Sequence, residues 1–80
     1  MNRTDIIRIT NQFLSEEFEI SEEKLQPEAL LKNDLKIDSL DFVDIAVEVE
    51  NQFHFKVTPD EMKQVSTLGV FYDMIEKRQA

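Results

Sequence analysis

Ser39 is the residue whose neighbours best suit it to chemistry. It stands in Asp34-Leu35-Lys36-Ile37-Asp38-Ser39-Leu40-Asp41. Asp38 can cap a helix that opens at Ser39, and Asp41 lies three residues on, the spacing of a capping box. A hydroxyl at that point sits at the mouth of a helix, where free backbone N–H groups and the macrodipole favour an anion. A phosphoester on Ser39 suits the place. Hydrolysis does not. No Gly-x-Ser-x-Gly elbow surrounds the serine, and the single histidine, His54, falls beyond the far end of the same helix. Calcium binding of the EF-hand kind fails as well: with Asp34 as the first ligand, Asp38 fits the fifth place, but Lys36 fills the third and Ile45 the twelfth.

The elements that must position this serine read as helices. Around the helix of residues 39–53, Phe42, Ile45, Ala46, Val49 and Phe53 fall on one arc at about 100° per residue. Leu40, Val43 and Val47 fall on a second arc, bordered by Asp41, Asp44 and Glu48 and divided from the first by Glu50. A helix on the outside of a small bundle does not need so wide an apolar coverage. The first arc is expected to face the core, and the second to form an apolar strip edged with acid beside Ser39.

Upstream, residues 4–18 carry Ile6, Ile9 and Phe13 with Ile7, Leu14 and Phe18 at helical spacing, with Thr4 or Asp5 as cap. Residues 19–34 form a connection unusually long for a compact domain. Its Ile20, Leu25, Leu30 and Leu31 are expected to pin it to the core. It can hold an extra helical turn at residues 28–31, or serve as a packed crossover that lets the next helix run parallel to its predecessor. Downstream, Thr58 as N-cap, Pro59 at N1 and Glu61 at N3 predict a short third helix ending near Gln64 or Val65. Thr67 caps a last helix with Leu68, Phe71, Tyr72 and Ile75 on one face, and Lys77 and Arg78 suit its negative end. The expectation is an all-α, four-helix bundle in a single domain over residues 1–80.

Bulk properties fit. Eighty residues with 41% hydrophobic content support one modest core. No cysteine is present, which excludes disulfides and thiolate metal sites and fits a cytoplasmic location. No apolar run resembles a signal peptide or reaches membrane-spanning length. The net charge of −8 argues against direct nucleic-acid binding. It is unevenly spread: residues 34–61 hold eight acids and two bases, while residues 62–80 hold two acids and three bases. Acid concentrated around the serine-headed helix can steer basic partners as well as solvate the surface.

The order Asp-Leu-x-x-Asp-Ser-Leu-Asp, an acidic amphipathic helix ending in Phe53, then Thr58-Pro59-Asp60-Glu61 and Ser66-Thr67-Leu68, resembles the acyl carrier protein family from Asp34 to Ile75. The resemblance implies a non-catalytic carrier bundle with a short third helix and a long loop between helices 1 and 2. Ser39 matches the serine that bears 4'-phosphopantetheine, donated from coenzyme A by a phosphopantetheinyl transferase. The arm's thiol would hold acyl thioesters and pass them among fatty-acid or polyketide-type synthases, the carrier staying monomeric and outside the membrane. Asp38, Leu40, Asp41, Val43, Asp44, Val47, Glu48, Glu50, Val57 and Met62 match positions read by basic partner surfaces. Val47, Met62, Val65, Leu68 and Phe71 match the region that shelters acyl chains.

The chain also departs from the family. Lys36 stands two residues before the motif aspartate and His54 just after the helix-ending Phe53, both places where Gly is usual. Pro59 sits one residue later than in many relatives, and Phe42 and Phe71 are larger than the residues often found there. These departures point to a specialised carrier. A peptidyl or aminoacyl carrier, and an unmodified acidic interaction domain, are the alternative readings.

Overall fold

The computed structural model describes residues 1–79. Four α-helices run in order: α1 (Arg3–Phe18), α2 (Ser39–Phe53), α3 (Pro59–Lys63) and α4 (Leu68–Gln79). α1 packs on α4 and α2 on α3. Among the described residues no helix is long and apolar enough to cross a membrane.

α1 starts one residue earlier than its periodicity predicts. Its cap is Asn2, whose side-chain oxygen accepts from the Asp5 N–H at 2.9 Å, so Thr4 and Asp5 lie inside the first turn. An amide side chain caps as well as a hydroxyl or carboxylate does. Ile6, Thr10, Phe13 and Leu14 are buried, while Ile7, Ile9 and Phe18 are only partly covered. Polar contacts tie α1 to α4: Arg3 pairs with Asp73 at 2.6 Å and with Glu76 at 3.4 Å, and the buried Tyr72 hydroxyl donates to the Asn11 side chain.

The long connection is a packed crossover. Its one helical turn is a 3-10 segment at Glu22–Lys24, earlier than residues 28–31. At residues 28–31 the chain instead reaches sideways. Leu30 forms an isolated antiparallel bridge with Thr67, and the Leu31 N–H donates to the Ser66 carbonyl at 3.0 Å. The Leu31 N–H and the Ala29 carbonyl bond across the fold to Ser66 and Leu68, while Leu30 bonds locally to Asp34. Ile20, Leu25, Ala29, Leu31, Leu35 and Ile37 are buried, so Ile20, Leu25 and Leu31 anchor as expected, but Leu30 is 38% exposed. The Gly69 N–H donates to the Pro27 carbonyl at 2.8 Å, and a Cβ at Gly69 would lie 3.1 Å from that oxygen. Glycine at the start of α4 is what lets loop and helix approach so closely.

α3 has the predicted capping box: the Thr58 hydroxyl accepts from the Glu61 N–H and the Glu61 carboxylate from the Thr58 N–H, each at 3.1 Å. Thr67 caps α4 through the Val70 N–H at 3.2 Å. Arg78 does more than face the dipole of its own helix. It pairs with Glu61 at 2.6 Å, donates to the Lys56 carbonyl at 2.8 Å and lies over the Phe55 ring. Gln79 donates to the Phe53 carbonyl at 3.2 Å, satisfying an oxygen in the last turn of α2. The end of α4 thus braces the ends of α2 and α3.

Two family departures now have a physical cost. Lys36 has φ 60° and His54 φ 62°, both in the left-handed region that glycine occupies freely. A side chain there costs about 1–2 kcal/mol. Lys36→Gly and His54→Gly should each raise stability by about 0.5–1 kcal/mol, after the extra unfolded-state entropy of glycine is deducted. Urea midpoints at unchanged m-value check this, and an unmoved or lowered midpoint in both contradicts it.

The Arg78 hydrogen bond, helped by the Thr58 N–H, holds the Glu61 carboxyl below its ordinary value of 4.5. A depressed folded value means that the brace contributes fully above the ordinary value and is lost as the pH falls through the folded one. The stability gap between wild type and Glu61→Gln should therefore be present at neutral pH and shrink steadily below pH 4.5. A gap independent of pH in urea titrations would show that the ion pair contributes nothing.

Candidate functional site

The site begins with the start of α2. Asp38 Oδ1 accepts from the N–H groups of Leu40 at 2.9 Å and Asp41 at 3.0 Å, and Asp41 Oδ2 accepts from the Asp38 N–H at 3.2 Å. This is the predicted capping box, and it fixes Ser39 as the first helical residue. Ser39 is exposed. Its hydroxyl has no hydrogen-bond partner among the described residues, so it is free to be modified.

The same box corrects one expectation. The amides meant to greet an anion are already taken: Leu40 and Asp41 by the Asp38 carboxylate, and Phe42 by the Asp38 carbonyl at 3.3 Å. Among the first-turn amides Ser39's own is left. A phosphoester on the exposed Ser39 would stand outward, toward solvent. Neither carboxylate bonds to the Ser39 hydroxyl; Asp38 Oδ1 and Asp41 Oδ2 are occupied with the capping N–H groups.

The two arcs of α2 separate as the wheel predicts. Phe42, Ile45, Ala46, Val49 and Phe53 are buried. Leu40, Val43 and Val47 are 79%, 48% and 51% exposed, an apolar strip that nothing in the bundle covers. Asp44 and Glu50 are exposed, and Asp41 and Glu48 are half-buried. Between α1 and α2 lies a depression of about 230 Å³ lined by Glu17, Phe18, Asp44, Val47 and Glu48. The end of α1 therefore extends the strip with an aromatic residue and an acid. Phe18 read only as a core position in sequence, and its place at the last turn of α1 was the available signal.

Other expected site residues fall elsewhere. Val57 and Met62, matched to the partner-facing rim, are buried, Met62 completely. The short α3 turns Met62 inward against α2, so neither offers surface to a partner. Of the residues matched to an acyl shelter, Met62, Val65, Leu68 and Phe71 share the core, and Val47 does not join them because it faces outward. Phe71 is fully buried and fills core volume that a smaller residue would leave open. Lys36 is exposed three residues before Ser39.

A capped helix that displays an unengaged serine at the head of an acid-edged apolar strip, on a four-helix bundle, defines a carrier domain. Comparison with known proteins agrees. The family model for the phosphopantetheine attachment site matches residues 11–75. An acyl carrier protein of Coprothermobacter proteolyticus is 36% identical over 76 residues, covering 95% of this chain and 93% of that protein. One from Thermotoga maritima is 34% identical over 77 residues, covering 96% and 95%. Acyl carrier protein 2 of Ralstonia nicotianae is 33% identical over 69 residues, covering 86% and 85%. The chain belongs to the acyl carrier protein family. Its members are carriers and not catalysts, and their prosthetic group is 4'-phosphopantetheine.

The two faces of α2 give a direct comparison. Val49 is fully buried, so Val49→Asp places a charge in the core and should unfold the domain, whose whole stability is of the order of 5 kcal/mol. Val47→Asp should keep native helical circular dichroism and lose less than about 1 kcal/mol. Equal destabilisation of the two would mean that the exposed strip carries structural weight.

Proposed function

We propose that Ser39 carries 4'-phosphopantetheine as a phosphodiester and that the chain shuttles acyl intermediates among the enzymes of a fatty-acid or polyketide-type pathway. The observation that carries this is the exposed, unengaged Ser39 hydroxyl at the first position of α2. A phosphopantetheinyl transferase joins that oxygen to the pantetheine phosphorus of coenzyme A. The phosphoanhydride bond breaks, adenosine 3',5'-bisphosphate leaves, and the transferase takes the serine proton. The arm supplies a terminal thiol that holds acyl groups as thioesters.

This chain's own residues then do the positioning. The Asp38–Asp41 box holds Ser39 at the end of a rigid helix. Leu40, Val43 and Val47 offer apolar contact, with Asp44, Glu48 and Glu50 steering basic partner surfaces. Exposed carboxylates act over about a Debye length and are screened by salt, so docking is fast, weak and reversible. A shuttle needs each of those properties. The single domain over residues 1–80 works as a monomer in the cytoplasm, where coenzyme A is available and the lack of cysteine is unremarked.

Incubation with coenzyme A and a broad-specificity transferase should add one phosphopantetheine mass to the wild type and none to Ser39→Ala. Intact-mass spectrometry reads both. Addition to the Ala variant would place the arm elsewhere, and no addition to either would favour an unmodified interaction domain.

A further inference from the structure

The close helix pairs are α1 with α4 and α2 with α3. Between α1 and α2 the surface opens into a groove made of two depressions that share Glu17 and Glu48. The one nearer Ser39, of about 230 Å³, has Phe18 and Val47 as apolar walls and Glu17, Asp44 and Glu48 as its rim. The other, of about 270 Å³, continues past Phe13 and Ile9 to Arg8.

The nearer depression is unfinished in two respects. Val47 is exposed and Phe18 only partly covered, so apolar surface from two helices borders one space that the bundle leaves unfilled. None of the three rim carboxylates is in an ion pair among the described residues, and no cation lines that depression. The cation of the groove, Arg8, stands in the other depression and is paired with Asp5 at 3.6 Å. Like charges gathered from α1 and α2 repel one another there without an offset.

The α3 side of the functional helix is different. Val57 and Met62 are buried, so the apolar strip of Leu40, Val43 and Val47 gains nothing from them. Its apolar continuation lies on the α1 side, at Phe18, with the exposed Glu17 beside it.

We infer that enzymes acting on Ser39 grip the carrier across the α1–α2 groove. A basic amphipathic segment of the partner sets one apolar side chain between Phe18 and Val47 and a lysine or arginine against Glu17, Asp44 and Glu48. An apolar anchor inside a rim of complementary charge concentrates binding in few contacts and steers the encounter. The place also suits the reaction. At 1.5 Å rise per residue, Asp44 and Val47 stand about 7.5 and 12 Å along α2 from Ser39, so a partner seated there reaches the serine without covering it. Contact with α2 alone would leave a partner free to roll about the helix axis, and a second foothold on α1 removes that freedom. The inference rests on Ser39 as the modified residue and adds the end of α1 to the surface that α2 presents.

The test uses the full chain and a broad-specificity phosphopantetheinyl transferase as the partner. Nitrogen-labelled Ser39→Ala, which binds without reacting, is titrated with the transferase and followed by amide nitrogen–proton NMR. The amides of Glu17 and Phe18 should broaden together with those of Val43, Val47 and Glu48, while those of Met62 and Gln64 stay sharp. Transfer from coenzyme A is then timed in Glu17→Lys and Glu28→Lys, which each reverse one exposed charge, the first in the groove and the second on the crossover. Both change the net charge equally. Glu17→Lys, with native circular dichroism, should raise the KM for the carrier several-fold, and Glu28→Lys should leave it near the wild-type value. Broadening at Met62 and Gln64 in place of Glu17 and Phe18 puts the partner on α3 and overturns the groove. Equal KM values for the two charge reversals reduce the effect to net charge and overturn it as well. Both of those results leave the Ser39 reading standing, whereas no added mass on the wild type overturns that reading and this inference together.

Discussion

The grip of the Asp38 carboxylate on the amides of Leu40 and Asp41 decides where α2 begins. That start sets the rotation of the whole helix about its axis. One residue of slip turns every side chain by about 100°, which would lift Phe42 and Val49 out of the core and press acid into it. The same grip leaves Ser39 as the first helical residue, outside the hydrogen-bonding that it organises. Fold and site therefore share one determinant. A capping box of this kind is worth only about 1 kcal/mol, but it selects among registers whose packing differs by much more.

The rest of the bundle keeps α2 in place despite local strain. Lys36 and His54 flank the helix in left-handed backbone, one on the approach and one at the exit. Both are held by bonds that reach across the fold. The loop before Lys36 is stitched to the start of α4 through Leu31, Leu68 and Gly69. The exit at His54 lies beside Phe53, Phe55 and Lys56, which Gln79 and Arg78 engage from the end of α4. The terminal helix is thus a brace for the functional one, through its polar end as well as its buried face.

Charge is organised with equal economy. Acid lines the exposed side of α2, while the last turn of α4 carries Lys77 and Arg78. The net charge alone conceals this.

Sequence by itself determined what depends on neighbours within one helical turn. Helical periodicity fixed α2 and its two arcs residue for residue, since burial at 100° per residue leaves a pattern that no distant contact has to supply. The capping boxes at Asp38 and Thr58, Pro59 at the first position of α3, and the Asp-Ser-Leu-Asp motif were legible for the same local reason. Tertiary structure decided what depends on residues far apart. Sequence allowed either a helical turn at residues 28–31 or a packed crossover, and the bonds of Leu31 to Ser66 and of Ala29 to Leu68, partners that only the folded chain brings near, decide for the crossover. Leu30 and Leu31 look alike in sequence, and only the bridge decides that one is outside and the other in. Met62 looked like a rim residue until the short α3 turned it inward, and Val47 parted from the core residues it was grouped with. Ser39 could be named from its neighbours. That the amides around it are already occupied is a matter of side-chain geometry, and this geometry makes the serine an exposed handle in place of an anion seat.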